Sequence, residues 1–221
     1  MGAAQEMVGS MVTRKKGVGA ARGALPVITH TASAGSNANS TSYTFSSLGS
    51  GSGDDRYLII AVGGRSSLFS RSVNSVTVSG SPATIVIAPS AVYFTALAIF
   101  DLSGQTSVDV VVGTTGEVTN LTCGLWAVST LRFDAAVDTD TATGTNPSVT
   151  LNSAVNGVCF AVISQDGSNT TDFGDLSVDY SLSQDSSTFI AGGSAITSSA
   201  TVTAVSNYSG SASRMVAATW R

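Results

Sequence analysis

The 221-residue chain is 43% hydrophobic but only 11% charged, with Ser, Thr, Gly, Ala and Val supplying most of the rest. Its net charge of −4 is uneven: residues 1–26 hold four of the ten basic residues and one of the fourteen acids, a net +3, which leaves −7 for the remainder. An acidic, weakly charged body argues against nucleic-acid binding through that body, because phosphate neutralisation by Lys and Arg supplies most of such affinity. No apolar run approaches the roughly 18–20 residues of a membrane-spanning helix.

Residues 1–26 read as a basic anchoring arm. Ala4, Met7, Val8 and Met11 recur at helical spacing, and Gly17 and Gly19 stop the pattern, so the arm is a short helix or an extended segment. A helix of about a dozen residues is marginal in water unless it packs on something, and a frayed terminus is the alternative. The arm's partner-binding residues are then Met7, Val8 and Met11, which suit an apolar groove, and Arg14, Lys15, Lys16 and Arg22, which suit an acidic surface. The basic cluster follows the apolar residues instead of preceding them, so no signal peptide is expected and the mature protein should begin at or near Met1.

From Leu25 onward the period is two. Apolar or β-branched runs occupy 27–31, 43–48, 57–62, 73–78, 84–88, 92–102, 107–112, 124–131, 148–151, 158–164, 176–182, 188–191, 201–206 and 214–220, with Gly, Ser, Asn and Asp clusters between them. No amphipathic segment is long enough for a crossover helix. The expectation is all-β: one antiparallel β-sandwich domain over 27–221, jelly-roll-like, with about fourteen strands in two sheets. Tyr57–Phe69, Ala96–Leu102, Cys123–Leu131 and Val158–Gln165 share an apolar run followed by a polar turn, but no fixed repeat period emerges. Gly49-Ser50-Gly51-Ser52-Gly53-Asp54-Asp55 feeds a strand and not a helix, so it is no phosphate cradle.

Residues able to carry chemistry are sparse. His30 is the only histidine, so a triad would need it with Asp54 or Asp55 and a serine, and no serine sits in a nucleophile elbow before a helix. Asp54/Asp55, Asp138/Asp140 and Asp172/Asp175 could form a glycosidase pair, yet each lies in a Gly/Ser/Thr stretch where Asp serves turns. Asp134, Asp138 and Asp140, and Asp166, Asn169, Asp172 and Asp175, offer oxygen ligands for a structural calcium without completing an EF-hand loop; no other cofactor is suggested. The sequons at Asn39, Asn120, Asn169 and Asn207 are expected by chance in so Ser/Thr-rich a chain. Cys123 and Cys159 lie in apolar runs and read as two buried thiols, and Trp126 and Trp220 read as core.

Several phrases taken together resemble tailed-bacteriophage virion proteins. They are Tyr43-Thr44-Phe45, the run Asp54-Asp55-Arg56-Tyr57-Leu58-Ile59-Ile60-Ala61-Val62-Gly63-Gly64-Arg65, and Val73-Asn74-Ser75-Val76-Thr77-Val78-Ser79-Gly80-Ser81-Pro82-Ala83-Thr84. Ala98-Ile99-Phe100, Val108-Asp109-Val110-Val111-Val112 and Gly124-Leu125-Trp126-Ala127-Val128 continue the likeness, which covers roughly 42–220 and omits the arm. The resemblance implies a jelly-roll-like sandwich that decorates a capsid or builds a head or tail fibre, with no catalytic residue to carry over. It also implies a virion-surface location after assembly in the host cytoplasm, other virion proteins as partners, and a homo-oligomer, a trimer by analogy. A tail-fibre module that binds a host glycan is the alternative. A polysaccharide hydrolase acting through Asp54, Asp172 or His30 ranks behind both.

Overall fold

The computed structural model describes residues 25–52, 56–130, 135–167, 172–207, 210 and 212–221. These residues form strands and no helix, and every strand pair is antiparallel. Residues 1–24 of the arm, including all seven of its candidate partner-binding residues, lie outside the described residues.

The all-β sandwich expectation holds, but the described residues form sixteen strands in four sheets where about fourteen strands in two sheets were expected. A five-stranded sheet places β1 (Val27–Ser36), β9 (Asn120–Ser129), β3 (Arg56–Arg65), β7 (Tyr93–Leu102) and β6 (Thr84–Ile87) side by side in that order. It is backed by β2 (Ser40–Gly49), β8 (Ser107–Val118), β4 (Val73–Val78) and β5 (Ser81–Pro82). A second five-stranded sheet orders β10 (Asp138–Thr143), β16 (Ser213–Trp220), β12 (Val158–Gln165), β14 (Phe189–Ile196) and β13 (Ser177–Ser183). Behind it lie β11 (Ser148–Asn152) and β15 (Thr201–Val205).

The second sandwich repeats the first. Read along their sheets, β1-β9-β3-β7-β6 and β10-β16-β12-β14-β13 match strand for strand in chain order, and the β2/β8 pair recurs as β11/β15. Only the β4–β5 hairpin has no counterpart. It turns through Ser79 and Gly80 at φ of 47° and 83°, the two left-handed positions of a tight hairpin turn. The repeat lives in topology and not in spacing, which is why no sequence period reveals it.

The two sandwiches stack through their five-stranded sheets, and side-chain alternation builds three cores. Leu58, Ile60 and Val62 of β3 point into the first sandwich, while Ile59 and Ala61 point into the seam between sandwiches. Val158, Phe160 and Val162 of β12 meet them there, and Cys159, Ala161 and Ile163 fill the second sandwich. Burial on both faces explains the unbroken apolar runs of β3 and β12, where a one-sided strand would alternate. Inside the seam, Phe160 packs on Trp126 at 5.3 Å between ring centres and on Trp220 at 5.8 Å.

The molecule has two distinct ends. Ser164 Oγ donates to Gly64 O at 2.9 Å near the last residues of β3 and β12, so these strands run in the same sense. At this loop end lie the connections 37–39, 66–72, 88–92, 144–147 and 184–188. At the opposite end Thr130 Oγ1 donates to Leu25 O at 3.1 Å, Val27 pairs with Ser129, and Val158 pairs with both Ile196 and Trp220. Residues 1–24 therefore join the body at the end away from those loops.

Candidate functional site

Polar chemistry gathers in two places along the seam. The first surrounds His30, brought by β1 against Trp126 of β9 and Tyr180 of β13. The imidazole stacks on Tyr180 at 5.3 Å between ring centres and meets Trp126 edge-on at 5.9 Å. Asp179 Oδ2 accepts the Trp126 indole N–H at 2.8 Å and the Ser194 hydroxyl at 2.6 Å. A serine, an aspartate and the single histidine thus come together, but in the wrong order for nucleophilic catalysis. A triad places the histidine between the serine and the carboxylate; here the carboxylate bridges serine and tryptophan, and His30 Nε2 is buried with no hydrogen-bond partner. Burial holds the imidazole below its ordinary pKa, with Asp179 and a hydrogen bond to the Ala32 backbone opposing it. Asp54 and Asp55, the orienters suggested by sequence, lie outside the described residues.

The second cluster closes the loop end. Arg65 Nη1 donates to Ser187 Oγ at 2.7 Å and to Thr188 Oγ1 at 3.3 Å, and lies 3.9 Å from Asp185. Asn120 Nδ2 donates to Asp185 Oδ2 at 2.6 Å and to Thr188 Oγ1 at 3.3 Å. Burial opposes ionisation of Asp185, but hydrogen bonds from Ser187, Asn120 and Thr188 outweigh it and leave the carboxyl below its usual range. These bonds tie β3 and β9 of one sandwich to the β13–β14 connection of the other.

The remaining sequence candidates have structural work. Asp138 Oδ2 accepts the backbone and side-chain N–H groups of Asn152 at 2.8 and 2.9 Å, and those bonds hold it below the ordinary carboxylate pKa. Asp140 accepts from Thr141 N, Asp166 from Ala212 N, Asp172 from Gly174 N and Asp175 from Thr203 N, each at 2.7–2.9 Å. Among the described residues no three His, Cys, Asp or Glu side chains converge as a metal site; Asp134 and Asn169 lie outside them. Ser50 is buried and donates to Gln105 O at 2.9 Å, while Arg56 Nε donates to Ser50 O at 3.0 Å, so the Gly/Ser loop is held by carbonyl contacts. Asn120 is buried, which closes that sequon to a glycan, whereas Asn39 and Asn207 are exposed. Both thiols are free and buried, and burial pushes Cys123 and Cys159 up to about 12. Trp126 and Trp220 are fully buried.

Sequence reasoning misses Asp179, Tyr180, Asp185 and Arg65. Each sits in an ordinary strand or turn phrase, and only the stacking of two separate sheets brings them together. No protein-family model matches the chain, and no curated protein sequence is significantly similar to it.

Proposed function

We propose that the chain is a non-enzymatic structural protein of a tailed-phage virion, a capsid decoration or head fibre held to another virion protein through its N-terminal arm. The observation that carries this reading is the composition of the arm end. Leu25, Val27, Val137, Val155 and Ile196, five of the nine exposed large apolar residues among the described ones, share the end where residues 1–24 attach. Exposed apolar residues gathered beside a segment bearing Met7, Val8, Met11, Arg14, Lys15, Lys16 and Arg22 suit end-on docking, with the arm as a first grip and the base as a second. The weakly charged, hydroxyl-rich sandwiches, jelly-roll-like in this reading, then project the loop end outward. Occupancy on assembled particles tests it. Replacing Arg14, Lys15 and Lys16 with Ala should lower occupancy while the melting temperature of the body stays unchanged, and equal occupancy overturns the reading.

The receptor-binding alternative is favoured by one observation, the convergence of loops from both sandwiches at the end opposite the arm. Glycan-array binding by the body would support it.

A further inference from the structure

We infer that the tip of the β3–β4 connection, Leu68-Phe69, docks on an anionic lipid surface, the two side chains entering the interface while Arg71 meets the headgroups. Leu68 and Phe69 stand at the loop end with 76% and 62% of their surface open to solvent, and Val92 of the neighbouring 88–92 connection is a third exposed apolar side chain at 38%. Single exposed apolar residues are ordinary, whereas a group of large ones beside a cation marks a contact surface.

The base of this connection is fixed, so the tip projects instead of folding back on the body. Ser66 is buried and its N–H donates to Val92 O at 2.9 Å, Phe69 N donates to Ser66 Oγ at 3.4 Å, and Arg71 and Ala91 exchange backbone hydrogen bonds at 2.8 and 2.9 Å. Arg71 Cζ lies 5.4 Å from the Phe69 ring centre. Its guanidinium rests on Gly116 of β8, where a Cβ would come within 2.5 Å of Nε and 2.7 Å of Cζ. A cation is thereby held beside an apolar tip. At a bilayer interface such a pair divides naturally, the ring entering the acyl boundary and the long basic side chain keeping its charge among the headgroups.

Charge selects the kind of surface. The body is acidic, yet residues 56–100 carry Arg56, Arg65 and Arg71 and no Asp or Glu. Arg71 forms no ion pair with a carboxylate among the described residues, and its Nη1 donates to Ser70 O of its own turn at 3.4 Å. The acids that share the loop end are occupied: Asp185 accepts from Asn120 and lies 3.9 Å from Arg65, Asp166 accepts from Ala212 N, and Glu117 accepts from Asn39. An acid-free apolar tip with an unneutralised guanidinium is complementary to phosphate headgroups, which attract basic residues near the membrane surface and accept charge-assisted hydrogen bonds from them. Its convex shape suits a bilayer, which opens around an inserted side chain, where a protein partner would have to offer a matching pocket.

The tip faces outward on a particle only under the anchoring reading, but lipid binding is measured on free protein, so either can fail while the other stands. Full-length protein is sedimented with phosphatidylcholine vesicles made with and without phosphatidylglycerol. Binding to the phosphatidylglycerol vesicles is expected, and the double variant Leu68→Ser/Phe69→Ser should weaken it about tenfold through lost apolar burial. Arg71→Gln should weaken it by a smaller factor and leave binding to phosphatidylcholine alone as it was. The basic arm could hold anionic lipid by itself, so the tip substitutions are repeated with Arg14, Lys15 and Lys16 replaced by Ala, where their effect should persist. Phe69→Trp adds a local readout, because Trp126 and Trp220 are buried: brominated lipid should quench the added fluorescence. Absence of binding, equal binding by the Leu68→Ser/Phe69→Ser variant, or no quenching overturns the inference. A change in solution mass caused by that double variant would make the tip a protein contact and overturn it equally.

Discussion

Trp126 and Asp179 belong to different sandwiches and are joined across the seam by an indole N–H donated to a carboxylate at 2.8 Å. The same carboxylate oxygen accepts the Ser194 hydroxyl, so one side chain satisfies two donors at the face where the halves meet. Replacing Asp179 with Ala leaves both donors without their acceptor. A loss of about 1–3 kcal/mol is expected from an unsatisfied buried donor, read as a lower urea midpoint with a changed Trp126 fluorescence maximum.

Tyr180 fits the seam because two glycines make room for it. A Cβ on Gly124 of the first sandwich or on Gly192 of the second would collide with the Tyr180 ring, and one on Gly192 would also meet Trp126 at 2.8 Å. Gly192→Ala should destabilise the protein by about 1–3 kcal/mol through overpacking. Adding Tyr180→Leu to that variant should recover part of the loss, and a double-mutant cycle in urea measures the coupling.

The burial of His30 gives the fold a pH dependence of fixed sign. Burial holds the folded imidazole below its ordinary pKa, so the unfolded chain binds the proton more readily and stability falls as pH drops through that region. Unfolding free energy should decrease from pH 7 to pH 5 in the wild type and decrease less in His30→Gln. Parallel slopes in the two proteins would remove His30 as the cause.

Cys123 and Cys159 lie in the outer cores on either side of the seam, both fully buried. With thiols pushed up to about 12, neither is a competent nucleophile at neutral pH. Ellman's reagent should find no reactive thiol in the native protein and two after denaturation in guanidinium, with or without prior reductant.

Much of the fold was legible because its strands obey local rules. Tyr57–Val62 and Val158–Ser164 announce buried strands by unbroken apolar character, and Val73–Val78 coincides with an observed strand. In sequence β10 looks instead like an acidic loop and calcium candidate, since Asp138 and Asp140 mask a strand whose alternate positions are Thr139, Thr141 and Thr143. It is an edge strand, where charged side chains on the open side are tolerated and guard against unwanted pairing. Long-range geometry was not legible. Gly192 and Gly193 look like a strand end, yet β14 passes through them because Tyr180 and Phe173 occupy the space their side chains would need. Likewise, nothing near His30 in sequence points to Tyr180, which lies on the other sandwich.

Among the described residues no strand of either half enters the other's sheets, although the halves share a continuous apolar seam. The covalent link between Ser129 and Asp138 therefore supplies each half with a high effective concentration of the other. Polypeptides ending and beginning there would each carry a complete set of sheet pairings, and their reunion would be a binding equilibrium governed by Trp126, Phe160, Tyr180 and Trp220.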